Sequence, residues 1–142
     1  MKKKIAIIGA GWFGCYIGYD LTRSGYEVKI FEKEKEIFCG ASGYNQNRLH
    51  LGFHYPRSHK TIQESKNGYK KFVKKFSKFI RNVKKNLYVI ANHKENLIDF
   101  EIYKQILKSN KLSFKEEKKK FNLQNFKGVI SCKEKLIDMD AA

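Results

Sequence analysis

The chain has a single proline, Pro56, and no stretch rich in glycine and serine, so composition marks no linker between independent domains in its 142 residues. Cysteine is also scarce. Cys15, Cys39 and Cys132 are odd in number and far apart, and no pair has the spacing of a zinc ligand set or a redox C-x-x-C motif. That excludes a disulfide scaffold and fits free thiols in a reducing cytosol. The sequence holds no run of eighteen apolar residues, so no transmembrane segment is expected. Met1-Lys2-Lys3-Lys4 followed by Ile5-Ala6-Ile7-Ile8 has the look of a secretory leader. Gly9, Gly11, Gly14 and Gly18 would break its apolar helix, however, and no small-x-small cleavage site follows closely. The expected location is the cytoplasm.

Acidic residues are few, 14 against 30 Lys and Arg, which leaves a net charge of +16. Only Arg23, Arg48, Arg57 and Arg81 carry a guanidinium, so lysine supplies the other 26, and lysine is the poorer residue for a bidentate grip on phosphates or bases. The lysines are spread along the chain and interleaved with Glu, which favours a solvated surface over a nucleic-acid site. No nucleic-acid partner is expected. A non-catalytic basic module that meets nucleic acid or an anionic membrane stands as the alternative, and its binding would fall steeply with salt. Apolar residues make up 42% and aromatics 14%, enough to bury one ordinary core.

The pattern richest in information is at the start. Lys4 to Ile8 is a short β-rich run, apolar on both faces as in a central parallel strand. Gly9-Ala10-Gly11-Trp12-Phe13-Gly14 follows and fits G-x-G-x-x-G. Helix-competent sequence continues to about Ser24, with Ile17 and Leu21 facing the sheet. Gly25 ends it, and Glu27 to Phe31 makes a second strand. In such a βαβ unit Gly9 permits the tight turn out of the strand, Gly11 clears the backbone's approach to a pyrophosphate, and Gly14 lets helix and sheet pack closely. The free N–H groups of the helix start, Trp12 and Phe13 among them, face the phosphates, and the helix dipole adds to their pull. Glu32, eighteen residues after Gly14 and followed by Lys33, can accept hydrogen bonds from the adenosine ribose hydroxyls. Its charge would repel a 2′-phosphate, which disfavours NADP.

The stretch from Gly9 through Gly18 and Gly25 to Glu32 resembles the extended FAD fingerprint of flavoprotein oxidoreductases. The block from Gly40 to Pro56 resembles the D-amino-acid-oxidase-like (DAO) family, and within it the L-2-hydroxyglutarate-oxidase-like branch. There a small-Ser-x-x-Asn segment, here Ala41-Ser42 to Asn47, leads to a His-x-Gly-x-x-Tyr turn, here His50 to Tyr55. The resemblance is specific over residues 4 to about 57. It implies FAD as cofactor, with the loop from Ala41 to Asn47 and the Ser42 hydroxyl along the pyrophosphate and ribityl chain, and Arg48, Leu49 and His50 passing near the flavin ring. It implies oxidation of a small hydroxy- or amino-acid-like substrate by hydride transfer to the flavin. His50 is a weak candidate for a place at the flavin, and some relatives attach the flavin covalently in this region. No residue pattern assigns a substrate. An NAD-binding domain is a third reading, although it has no need of the loop after residue 39.

His50, His54 and His59 are close in sequence, but Gly52 and Pro56 break any helix that would align their rings, and no metal site is expected. Ser58 to about Ile80 reads as an amphipathic helix. Tyr69, Phe72, Val73, Phe76, Phe79 and Ile80 form one face, and Lys70, Lys71, Lys74, Lys75 and Lys78 the other. Leu87 to Ala91 is a strand, Asn96 to Lys108 a helix, and Leu112 to Phe114 and Gly128 to Cys132 are shorter strands. Lys115 to Lys120 is a charged, exposed run, and Asp138 caps a helix that the chain leaves after one turn. The expected fold is α/β: a Rossmann-like FAD-binding segment over 1–82, then the beginning of an α+β substrate domain over 83–142. That is less than half of what the family resemblance implies, so the sequence reads as an N-terminal fragment.

Overall fold

A computed structural model describes residues 2–118 and 125–141. It is a mixed α/β structure of eight strands and three α-helices among those residues: β1 (Lys4–Ile8), α1 (Trp12–Arg23), β2 (Glu27–Phe31), β3 (Arg48–Leu49), α2 (His59–Lys75), β4 (Ile80–Asn82), β5 (Asn86–Ala91), α3 (Phe100–Ser109), β6 (Phe114–Glu116), β7 (Phe126–Cys132) and β8 (Lys135–Ile137). The chain divides into two compact units, Met1–Asn47 and Arg48–Ala142. The division expected at residue 82 therefore falls inside the second unit.

In the first unit β1 and β2 pair in parallel, Lys4 opposite Glu27 through Ile8 opposite Phe31. The helix between them leans on the pair through small residues. A Cβ at Gly18 would lie 2.8 Å from Ile30 Cδ1, and one at Gly14 would lie 3.5 Å from Ile7 Cγ2. Gly14 and Gly18, four apart, thus lie on the packed face. Ile17, one position off that face, is exposed, contrary to its expected place against the sheet. Gly25, at φ +91°, ends the helix, with its N–H donating to the Thr22 carbonyl at 3.0 Å. β1 has one strand neighbour among the described residues, not the two of a central strand. Ile8 at its end is 83% exposed.

The second unit holds two antiparallel sheets, ordered β3-β8-β4 and β5-β7-β6. β7 is the central strand of its sheet, and Gly128 to Cys132 are all buried. Its Gly128 leaves the space that the Phe100 ring of α3 occupies, for a Cβ there would fall 2.3 Å from the ring. Phe53, Ile62, Tyr88, Tyr103, Leu107, Leu112 and Ile130 complete the core. α3 starts at Phe100 because the Asp99 carboxylate accepts the Ile102 N–H at 2.9 Å, four residues later than the apolar spacing predicts.

Three expectations for this unit need correction. α2, capped by Ser58, ends at Lys75, and residues Ser77–Phe79 form a 3-10 turn before Ile80 enters β4. The spacing of Phe76, Phe79 and Ile80 continues the helix pattern, but pairing of Ile80 with Ile137 draws the chain into a strand. The faces otherwise divide as expected, with Lys70, Lys71, Lys74, Lys75 and Lys78 exposed and Tyr69, Phe72, Val73, Phe76 and Phe79 half-buried. Asp138 caps no helix. Its N–H donates to the Phe79 carbonyl at 2.7 Å and its carboxylate pairs with Arg81 at 2.7 Å. In the charged run, Lys115 and Glu116 belong to β6, and Glu117 is drawn inward by Lys85 at 2.9 Å and the Ser131 hydroxyl at 2.6 Å. Lys119 and Lys120 lie outside the described residues.

Candidate functional site

The glycine turn of the first unit is built from three segments. Gly9 leaves β1 at φ +95°, a conformation that glycine reaches without strain, and its N–H donates to the Phe31 carbonyl at 2.7 Å. The turn is so tight that a Cβ at Gly14 would lie 2.0 Å from the Gly9 carbonyl oxygen. Gly14 therefore serves closure of the turn more than contact with the sheet, where Gly18 takes over. Gly11 caps α1 in extended geometry with no side-chain acceptor of its own, and the first turn holds no acidic residue. The N-terminal N–H groups of α1 have no partner within the helix, and no acidic side chain of its own first turn meets the positive end of its dipole. This is the arrangement an anion needs.

Ser42 supplies the second segment. Its Oγ accepts the Trp12 N–H at 2.9 Å, across thirty residues of chain. A Cβ at Gly11 would meet only that oxygen, at 3.3 Å. The loop around Ser42 is held by the Phe38 N–H on the Ala10 carbonyl at 3.0 Å and by the Trp12 and Phe38 rings, stacked 5.9 Å apart. Ser42→Ala removes one acceptor from the helix start. The expected result is a loss of about 1 kcal/mol in stability of this unit, read as a lower denaturation midpoint.

Glu32 is the third segment. One carboxylate oxygen accepts the Ala10 N–H at 2.6 Å, and the other accepts the N–H groups of Lys33 and Glu34 at 2.8 and 3.1 Å. The Ala10 N–H, followed by that of Glu34, holds the Glu32 carboxyl below the usual carboxylate range. A carboxyl so lowered contributes stability above its unfolded pKa, and that contribution disappears as pH falls through the lowered value. Glu32→Gln should therefore differ from the parent in glycine-loop stability at neutral pH and converge with it in acid. Hydrogen exchange at Ala10 against pH measures this.

The remaining predicted residues are placed as follows. Ala41 gives its carbonyl to Asn45 Nδ2 at 2.8 Å, and Asn47, at φ +50°, donates its N–H to Asn45 Oδ1 at 2.6 Å. Phe13 and Lys33 are exposed. Arg48, Leu49 and His50 belong to the second unit, where Leu49 is buried in β3 opposite Lys135.

That unit also holds a residue the sequence did not single out. Glu134, between β7 and β8, is 1% exposed. Its Oε1 accepts the Leu51 N–H at 2.6 Å, its Oε2 accepts the Tyr88 hydroxyl at 2.6 Å, and its carbonyl accepts Asn86 Nδ2 at 2.7 Å. Arg48 Nε lies 4.0 Å and His50 Nδ1 3.7 Å from the same Oε2. Both nitrogens are buried, and neither makes a hydrogen bond. The Arg48 guanidinium sits over the Tyr88 ring at 5.3 Å. The His50 and His54 rings meet edge-on at 4.6 Å despite the broken segment that carries them, and His54 meets Tyr88 at 4.9 Å. Burial pushes the Tyr88 phenol well above its usual range, and the hydrogen bond to Glu134 adds to this, so Tyr88 stays a donor. Burial, then Glu134, pushes the Cys132 thiol up to about 11, which leaves it protonated and inert. Lysines on both sides, Lys133 and Lys135, disguise Glu134 in the sequence as part of a solvated turn.

The residues present fit a dinucleotide cofactor: the first unit offers a helix start without an acidic residue in its first turn, a glycine, Gly11, that keeps any side chain off Ser42 Oγ, and a carboxylate just past the end of β2. Among the described residues no helix is long and apolar enough to cross a membrane.

Comparison with known proteins shows the family. The chain is 35% identical over 134 residues to the FAD-dependent monooxygenase FPY4 of Fusarium mangiferae, covering 94% of this chain and 36% of that protein. It is 34% identical over 85 residues to the FAD-dependent monooxygenase kojA of Aspergillus flavus, covering 60% of this chain and 20% of that one. It is 51% identical over 42 residues to the tRNA 5-methylaminomethyl-2-thiouridine biosynthesis bifunctional protein MnmC of Campylobacter jejuni, covering 30% of this chain and 7% of that one. The chain thus spans about a third or less of the length of these relatives. The profile of the DAO family, FAD dependent oxidoreductase, matches residues 4–139. With nearly the whole chain matched, the protein belongs to the DAO family of FAD-dependent oxidoreductases, and FAD is its cofactor.

Proposed function

We propose that the first unit binds the ADP half of FAD for an oxidation of a small hydroxy- or amino-acid-like molecule. The observation that carries this reading is the meeting of Gly11–Trp12, Ser42 and Glu32 around the start of α1, with Trp12 N–H on Ser42 Oγ at 2.9 Å and Ala10 N–H on Glu32 at 2.6 Å. The pyrophosphate takes the N–H groups of the α1 start, Gly11 to Gly14, with the Ser42 hydroxyl beside them. Glu32 exchanges the Ala10 N–H for, or shares it with, the ribose hydroxyls. Ala41 and Asn47 line the loop along the cofactor. Bound FAD supplies the two-electron chemistry, and the chain's residues hold and orient it. Residues 1–82 serve the cofactor in this reading, and 83–142 begin the part that meets the substrate.

The monooxygenase names of FPY4 and kojA favour a second reading of the chemistry, in which molecular oxygen gives one atom to the product. Mass spectrometry of product formed under labelled oxygen separates the two, since a simple oxidation leaves the label out. The binding claim itself is tested by titrating FAD into the purified chain at low and high salt. Saturable binding that is lost on replacing Gly11 with valine and changes little with salt supports it. Binding that survives this replacement and falls steeply with salt points to the lysine surface instead.

A further inference from the structure

We propose that Glu134 is a positioning residue for His50, holding its ring with Nδ1–H toward the buried carboxylate so that Nε2 keeps its lone pair as a proton acceptor. The proposal deepens the functional reading above, because it rests on His50 serving the oxidation. The geometry is convergent. Groups from two segments converge on one carboxylate oxygen: the Tyr88 hydroxyl of β5 donates at 2.6 Å, and from the β3 segment His50 Nδ1 lies at 3.7 Å and Arg48 Nε at 4.0 Å. The carboxylate itself is fixed from behind by the Leu51 N–H at 2.6 Å, one residue after His50. Its main chain is fixed by Asn86 at 2.7 Å. A buried imidazole nitrogen beside a carboxylate is stabilised as a donor, and donation from Nδ1 leaves Nε2 unprotonated. Gaps of 3.7 and 4.0 Å are too narrow for a bridging water and only slightly too wide for direct bonds. A small ring movement therefore completes the bond without an added ligand.

The charges around His50 set its protonation. Burial lowers its pKa, Glu134 raises it, and His54 and then Arg48 lower it, so the ring is neutral at neutral pH with the carboxylate as its one favourable partner. Burial, then Glu134, raises the phenol pKa of Tyr69 on α2. A neutral ring held in this tautomer can take the O–H or N–H proton of a substrate whose adjacent C–H bond breaks. Bound FAD would supply the acceptor for the hydride of that C–H bond, so that proton loss to His50 would leave a C=O or C=N bond in the product.

Nitrogen-15 spectra of the full chain labelled at histidine read the tautomer and titration of His50 directly, with no need of activity. The parent should show Nδ1–H. Glu134→Gln, which keeps an oxygen for Leu51, should shift His50 toward Nε2–H and move its titration midpoint down. Tyr88→Phe, which removes the competing donor, should strengthen the Nδ1–H signature and move the midpoint up. A parent ring protonated at Nε2, or midpoints that do not move in opposite directions in the two variants, overturns the proposal. Should Glu134→Gln fail to fold, the Tyr88→Phe shift decides alone. FAD titration of the same samples is scored separately, so a chain with the predicted tautomer and no FAD binding refutes the functional reading and leaves Glu134 as the partner of His50.

Discussion

Gly14→Ala is expected to weaken FAD binding by on the order of a hundredfold, the equivalent of about 2.7 kcal/mol. The added Cβ would sit 2.0 Å from the Gly9 carbonyl oxygen, and backbone lies on both sides of the contact. No side chain can swing aside. Either the Gly9 turn opens or the first turn of α1 unwinds, and each moves the N–H groups proposed to hold the pyrophosphate. Overpacking at a rigid site costs about 1–3 kcal/mol, and here the whole cost falls on the anion cradle. Gly68→Ala in α2 is the control, since nothing lies within 4 Å of the added atom there. It should leave FAD affinity unchanged and stabilise the helix by about 0.5–1 kcal/mol. Fluorescence titration of FAD against the two variants and the parent measures the difference. Equal affinity in all three would remove the glycine turn from the site.

Glu134→Ala is expected to destabilise the second unit by about 3–5 kcal/mol, a large share of the 5–15 kcal/mol typical of a folded domain. Truncation leaves the Leu51 N–H and the Tyr88 hydroxyl without their acceptor in a site only 1% exposed. It also strips Arg48 of the negative charge 4.0 Å away. Glu134→Gln should cost less, because its amide oxygen can still accept one of these donors. Denaturant unfolding followed by tyrosine fluorescence distinguishes the two. A loss below 1 kcal/mol for the alanine variant would mean that the carboxylate is not the keystone of β3, β5 and β8 that its bonds describe.

The difference between these two residues also explains what the sequence could disclose. Gly9, Gly11, Gly14 and Glu32 are legible because they act through backbone conformation and a fixed distance along one βαβ unit, and both leave their mark in residue type and spacing. Ser42 was legible through the family resemblance alone. Its partner, the Trp12 N–H, lies thirty residues away and has no local signature. Glu134 lies 83 residues from Leu51 and 46 from Tyr88, so its burial is a tertiary event that a Lys-Glu-Lys triplet conceals. The misplaced end of α2 has the same origin. Local periodicity carries the helix through Ile80, and pairing of Ile80 with Ile137, far along the chain, overrides it. Asp138 looks like a helix cap because aspartate favours that place, yet Arg81 claims its carboxylate.

The central claim is that this chain binds FAD through the start of α1. The visible absorbance of the purified protein, taken after incubation with FAD and again after denaturation and filtration, tests it most directly. The account predicts flavin bands that travel with the folded chain and pass into the filtrate once it unfolds. Bands retained on the unfolded chain would show covalent attachment, and peptide mapping would then be expected to find the flavin at His50. A folded chain that stays colourless after incubation with FAD would contradict the account.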